Sequence, residues 1–208
     1  MIRTLDFNAF AAGTVIDDEY LASDGVTVSA TGGSGQAMIF DSNNPTGGDT
    51  DLGSDTLDGL LIISEDGDSG DPDDNAGGGV IAFDFEDLSR IKSLTFKDIE
   101  EGSGDGTRMI FYDADDNVID NHFVGPTGDG GERIVGLNVP GVARMEVVFQ
   151  GSGAIDNLVF DDCYKPDDGP TAVDDSEETL EDVAVIIDVR GNDTDPNNPT
   201  EDLTIGSF

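Results

Sequence analysis

Four stretches of this 208-residue chain gather carboxylates and amides at spacings that suit a cation. Residues 40–55, FDSNNPTGGDTDLGSD, carry Asp41, Asn43, Asp49, Asp51 and Asp55. Residues 64–79, SEDGDSGDPDDNAGGG, carry Glu65, Asp66, Asp68, Asp71, Asp73 and Asp74 with no positive charge among them. Residues 97–106 add Asp98, Glu100, Glu101 and Asp105. Residues 191–202 add Asp193, Asp195 and Asn197 on alternate positions, with Glu201 or Asp202 behind. Calcium takes about six to eight oxygens at flexible geometry, from carboxylates, amide carbonyls and backbone carbonyls. A glycine-rich loop can turn alternate oxygens toward one point. None of the four is an EF-hand: Gly53 falls where a ligand is required after Asp49 and Asp51, and no helical pattern flanks any loop. Magnesium holds its waters and prefers few protein ligands, and zinc wants His or Cys, of which the chain has one each. The expected ion is Ca2+.

The charge balance leads to the same place. There are 46 Asp and Glu against nine Lys and Arg, a net charge of −37. Between Arg3 and Arg90 stand nineteen acids and no lysine or arginine. Such a surface repels itself and penalises the compact state. A disordered acidic tract fits the charge but not the interleaved β-branched and aromatic runs. A salt-adapted surface would spread acids over every solvent face, whereas here aspartate crowds into loops beside Gly, Asn and Pro. Both a salt-adapted surface and bound metal can hold at once. Nucleic acid is excluded as a partner, because phosphates are repelled. Cys163 is alone, so no internal disulfide forms.

Catalysis finds no support. There is no G-x-S-x-G, P-loop or dinucleotide fingerprint, and His122 sits in a strand pattern with no nucleophile motif around it. Among so many acids some pair always meets a glycosidase spacing, so that criterion selects nothing. The chain is expected not to be an enzyme.

The elements that must position these loops read as strands. Runs at 2–8, 26–30, 36–40, 59–64, 79–86, 90–99, 107–113, 117–124, 132–139, 143–150 and 154–161 are short and rich in Val, Ile, Phe and Thr. Gly, Asp, Asn or Pro bounds most of them. No sustained helical period appears. The expected fold is all-β: an antiparallel two-sheet β-sandwich of jelly-roll kind. It occupies 1–162, followed by a linker over 163–175 and, over 176–208, the opening of a second β unit with strands at 183–189 and 203–205. No apolar run approaches the roughly 20 residues that cross a bilayer. The opening MIRTLDFNAF has no signal-peptide pattern, so the chain is expected to begin inside a longer protein or to use an export signal elsewhere.

Two segments carry family likenesses. Pro170–Asp175, Glu181–Asp182 and Asn192–Asp195 resemble the opening of the cadherin-like tandem repeats of large bacterial RTX-type surface adhesins. Leu5–Phe7, Tyr20–Thr27 and Gly151–Asp161 resemble, more loosely, a carbohydrate-binding-module-like sandwich of exported bacterial proteins. That second resemblance implies a structural calcium ligand at Asp156; the acid often found after the first strand is replaced here by Asn8. Together they imply an extracellular, secreted or cell-surface adhesion module that is calcium-dependent and binds a glycan or polysaccharide. Asp41, Asn43, Asn44, Asp66 and Asp68 are the expected ligand contacts, and neighbouring adhesin repeats the expected partners in the parent chain. Two other functions stay open: a calcium-rigidified spacer with no ligand, and a polysaccharide-binding module appended to a secreted hydrolase.

Overall fold

The computed structural model describes residues 1–100, 106–162 and 171–194. The chain divides into two compact units, Met1–Tyr164 and Lys165–Phe208. Nine strands form among the described residues, all in the first unit: β1 (Ile2–Leu5), β2 (Val26–Thr31), β3 (Ala37–Asp41), β4 (Gly59–Ile63), β5 (Gly79–Lys97), β6 (Arg108–Tyr112), β7 (Val118–Phe123), β8 (Glu132–Phe149) and β9 (Ala154–Asp161). One short helix, α1 (Leu21–Asp24), and one 3-10 turn (Thr50–Leu52) accompany them. The ladder runs β3-β4-β9-β5-β8-β6-β7, with β1 added on β9 and β2 on β5. Every strand pairing is antiparallel. The fold is all-β.

The two long strands build both halves of the sandwich. The first half of β5 pairs with β2 and with the second half of β8. Its register then shifts between Asp84 and Ser89, and again at Ile91 and Ser93, after which it pairs with β9 and the first half of β8. Bulges bend a strand and raise its twist without ending the ladder. This is why 79–86 and 90–99 form one strand rather than two, and likewise 132–139 and 143–150. Their EDLS and PGVA junctions read as turns in sequence and act as bends in the structure. Phe83, Met109, Phe111, Met145 and Val147 from one half share a single buried cluster with Leu5, Ile39, Leu61, Phe96 and Leu158 from the other. Burying each such side chain contributes about 1.5–3 kcal/mol.

The outer face of β3 and β4 is covered as well. Met38, Phe40, Leu60, Ile62 and Ala154 form a second cluster, closed by Leu52 and Leu57 from the segment 42–58. This explains the continuous apolar run in β4, whose five residues are all buried. A strand covered on both faces has no reason to alternate. The strap is pinned by Ser42 Oγ donating to the Leu57 carbonyl. Ser54 Oγ and Thr56 Oγ1 donate to the two Glu132 oxygens at 2.6 and 2.8 Å. The segment read from sequence as a cation-holding loop is thus also a packed cover.

In the second unit, the bridge Thr171↔Thr194 is the pairing present among its described residues. Residues 183–189 carry no strand there. Ile186 is 96% exposed, and Leu180, Val183 and Val189 are exposed too. A strand pattern without a sheet to join leaves its ladder groups to water. The expected strand at 203–205 lies outside the described residues.

The strap makes a stability prediction. Leu52→Ala, truncating a fully buried side chain, is expected to lower unfolding free energy by about 2–5 kcal/mol in urea titration. A loss well under 1 kcal/mol would mean that 42–58 does not pack as a cover.

Candidate functional site

Two groups of carboxylates are drawn into the first unit where the described residues pair them with no cation. The larger lies where β5 ends. Asp98 follows the last residue of β5, is fully buried, and adopts a left-handed backbone (φ 55°). Its Oδ1 accepts the Gly130 N–H at 2.7 Å. Asp51, from the 3-10 turn, and Asp129 present carboxylate oxygens that lie with one from Asp98 within 4.8 Å of one another. Asp74, 5% exposed, accepts the Ser152 hydroxyl at 2.7 Å and the Gly153 N–H. Ser152 Oγ also stands 3.4 Å from Asp98 Oδ2, linking the two buried acids. Asp49 Oδ2 accepts the Asp74 N–H at 2.7 Å. Only glycine fits at 153: its φ is 144°, and a Cβ would stand 2.6 Å from the Ile99 side chain.

Desolvation is the main electrostatic force here. Burial pushes Asp74 up to about 6; Ser152 and Gly153 hydrogen bonds oppose this, while the charges of Asp49 and Asp98 add to it. Burial also raises Asp98, Asp49 and Asp73, reinforced by neighbouring acids. Lys97, side chain 3% exposed, does not relieve them. Its Nζ donates to the Gly130 carbonyl at 2.6 Å and lies 3.5 Å from Glu132. No ion pair joins Asp49, Asp51, Asp74, Asp98 or Asp129 to a cation among the described residues.

The second group forms at a break in the edge of β9. Ile155 pairs with β4, whereas Leu158 to Asp161 pair with β1. Between them Asn157 takes a left-handed conformation (φ 50°), and Asp156 lies buried at 2% exposure. Burial pushes Asp156 up to about 7; the Asn157 N–H opposes, and Asp6, Asp58 and Glu132 add repulsion. Asn8 Oδ1 accepts the Gly59 N–H at 2.7 Å, tying the segment after β1 to the start of β4. The Tyr20 hydroxyl is buried without a hydrogen-bond partner. Its acidity is pushed down, to a pKa of about 12, by burial first and then by the charges of Asp6, Asp24 and Asp156.

The loops 40–55 and 64–79 touch. Gly47 N–H donates to Asp71 at 2.8 Å, and Thr46 Oγ1 donates to the Pro72 carbonyl at 2.7 Å. A Cβ on Gly47 would come within 2.2 Å of the Asp73 Cβ. The acids that this contact buries are not the ones with the densest spacing. Asp66 accepts the Asp68 N–H and Asp68 the Gly70 N–H, each at 2.8 Å, and Glu65, Asp66, Asp68 and Asp71 stay exposed. Asp66 and Asp68 thus stabilise their own turn, while Asp71 ties it to the 40–55 loop. Asp73, half-buried, has one oxygen that is buried and unpartnered. Asp55 and Glu100 are exposed, as is Asn44. In the second unit Asp193 accepts the Val173 N–H at 2.8 Å. Glu101, Asp105, Asp195, Asn197, Glu201 and Asp202 lie outside the described residues.

Asp41 and Asn43 reach a different place. With Asn8, Phe10, Asp58 and Gly59 they line a cleft of about 390 Å³. Asn43 Nδ2 donates to Asp58 Oδ1 at 2.8 Å, and Phe10 is braced edge-on by Tyr20 at 5.4 Å. Asp6, Asp58 and Asp129 were not singled out in sequence. Asp129 had a usable signal in its setting, PTGDGG, a glycine-rich turn between strands. Asp6 and Asp58 are lone acids at strand ends and gave none.

No family model matches the chain, and no curated protein matches it. Among solved structures, a fucose-binding module from Streptococcus pneumoniae shows 15% identity over 42% of this chain and 65% of that one, with a TM-score of 0.29. The lectin-binding domain of lectinolysin, in a His 62 mutant complexed with Lewis b, shows 10% identity over 70% of this chain and 97% of that one, at 0.32. The enzymatically active domain of tailspike protein 4 from bacteriophage CBA120 shows 16% identity over 74% and 21%, at 0.28. The chain spans about two thirds of the fucose-binding module. At TM-scores this low, these likenesses carry no argument about ligand or activity. No described helix is long and apolar enough to cross a membrane.

The raised pKa values give a sign for pH. A carboxyl whose folded pKa exceeds its unfolded value binds protons better when folded, so it favours folding below its unfolded pKa. That contribution is lost as pH rises through the folded value, near 6 for Asp74 and near 7 for Asp156. In chelator, the melting temperature is therefore expected to rise as pH falls from 8 to 5. Calcium, competing with protons for the same oxygens, is expected to flatten that rise. A chelated protein whose melting point falls over this window would contradict the account.

Proposed function

We propose that the first unit is a calcium-stabilised, carbohydrate-binding adhesion module of a secreted or cell-surface protein. The observation that carries the metal half is the set of buried acids Asp74, Asp98 and Asp156, with Asp49, Asp51 and Asp129 around the first two and no cation paired to them among the described residues. Burying an uncompensated charge costs several kcal/mol, so such groups take up protons, pair, or hold a metal. The donor set fits a hard cation: carboxylate and carbonyl oxygens at varied spacing, with no nitrogen or sulfur ligand. Asp51, Asp98 and Asp129 would hold one ion, with Asp49 and Asp74 tightening its surroundings. Asp156, with Asp6 and Asp58 near, would hold another. A bound calcium neutralises the acids and ties the strap, the 64–79 loop and the sheet end together. Its contribution is to hold loops in place, and no reaction is asked of it.

The glycan half rests on the Asn8–Phe10–Asp41–Asn43–Asp58 cleft. A pyranose presents hydroxyls that both donate and accept, and a C–H face that an aromatic ring can cover. The amides and carboxylates supply the first need and Phe10 the second. A calcium-rigidified spacer remains the second reading, favoured by the absence of tryptophan from the chain.

Millimolar calcium is expected to raise the melting temperature beyond any effect of sodium at equal ionic strength. Saturation at 100 times Kd corresponds to about 2.7 kcal/mol. Asp98→Asn is expected to remove most of that gain. Equal shifts with sodium and calcium would leave the salt-adapted surface as the explanation of the charge. For the ligand, an array of short glycans read with calcium and with chelator is expected to show calcium-dependent binding that Asn43→Ala weakens at least fivefold. Silence across the array would leave the spacer.

A further inference from the structure

The outward face of the half-sandwich β2-β5-β8-β6-β7 carries a built polar network that the cleft and the metal sites do not use. Register places Thr27, Asp84, Arg144 and Tyr112 in one row across four strands. Ser29, Ala82, Glu146, Ile110 and Asn121 form the next row, and Thr31, Val80, Val148, Arg108 and Phe123 the third. Directly paired residues share a face, and the alternate residues Met109, Phe111, Met145 and Val147 are buried beneath it. Arg144 Nη1 donates to both Asp84 oxygens at 3.0 and 3.1 Å. Its Nε and Nη2 donate to Glu146 Oε1 at 3.2 and 2.9 Å. The Tyr112 hydroxyl donates to Glu146 Oε2 at 2.9 Å. These side chains are locked before any ligand arrives, which lowers the entropy cost of binding.

The charge on this face is exceptional in the chain. Arg108 and Arg144 balance Asp84 and Glu146, so the fourteen positions named sum to zero on a protein of net charge −37. A polyanion, or a second copy of this acidic chain, gains nothing from a neutral patch and meets repulsion from its surroundings. An uncharged partner does not. The face offers hydroxyls from three strand positions of β2, the Asn121 amide and the Glu146 and Asp84 acceptors. Between them lie apolar strips from Val80, Val148 and Ile110, the Tyr112 ring and Phe123, which is 58% exposed. Alternating polar and apolar strips across five strands match a chain of neutral sugar rings, whose edges hydrogen-bond and whose faces are apolar.

We infer that this five-stranded face is a second saccharide surface, distinct from the loop-bordered cleft, and that it takes an extended neutral polysaccharide across the strands. The inference rests on the carbohydrate-binding reading above but assigns it a different surface and a polymeric ligand. Affinity electrophoresis of the full chain with calcium, in gels cast with dextran, laminarin, galactomannan or hydroxyethylcellulose, tests it. At least one polymer is expected to retard the protein. Tyr112→Ala is expected to cut the apparent affinity at least tenfold, and Asn121→Ala, an exposed position whose side chain supports nothing in the fold, at least threefold. Asn43→Ala in the cleft is expected to leave retardation unchanged. Melting curves on each variant separate loss of binding from loss of fold. Retardation that survives both face variants, or that Asn43→Ala abolishes, overturns the inference while leaving the module a carbohydrate binder. Absence of retardation by all four polymers overturns the face alone, because the short-glycan array judges the cleft independently.

Discussion

The structure depends on how it tolerates carboxylates that are out of water and, among the described residues, paired with no positive charge. Asp74, Asp98 and Asp156 are each at least 95% buried, in a chain with five times more acids than bases. Removing a carboxylate from water is more costly than any single surface contact is favourable, so three such groups dominate the local energetics. Hydrogen bonds from Gly130, Ser152, Gly153 and Asn157 offset part of that cost. Protonation offsets more, which is why Asp74 and Asp156 sit near 6 and 7. A divalent ion offsets the most, because it satisfies several oxygens together.

These acids occupy points where the sheet architecture is interrupted. Asp98 stands where β5 leaves the ladder, and Asp74 bridges to Ser64 at the end of β4. Asp156 stands where the edge partner of β9 changes from β4 to β1. At each place backbone groups are freed from strand pairing and turn toward a carboxylate. An ion at either place would fasten elements that share few strand hydrogen bonds. The proposed calcium would complete the sandwich where its ladder is broken and would brace the cleft beside Asp58.

Much of this was legible in the sequence, though unevenly. Strand positions came through wherever alternation or a β-branched run was bounded by Gly or Asp, and the run 154–161 matches β9 end to end. The fusions into β5 and β8 were hidden, because a bulge and a turn draw on the same residues. Both the 40–55 and the 64–79 loops stand out in the sequence, whereas which of their acids become buried does not. Dense spacing points to Asp66 and Asp68, which accept N–H groups of their own turn, and to Asp71, which accepts the Gly47 N–H. Asp51, Asp98 and Asp129 converge from three distant segments, and no local spacing reports that. Burial distinguishes Asp74, Asp98 and Asp156 from the other acids, and burial is set by the tertiary fold rather than by a loop's own composition.

Calorimetric titration of calcium into metal-free protein at pH 6.5, repeated in two buffers of different ionisation enthalpy, tests the central claim most directly. Saturable binding accompanied by net proton release is expected, because Asp156, partly protonated there, must ionise to hold one ion, and Asp74, partly protonated too, ionises beside the other. Saturable binding with no proton release, or heats no different from those of sodium, would contradict it.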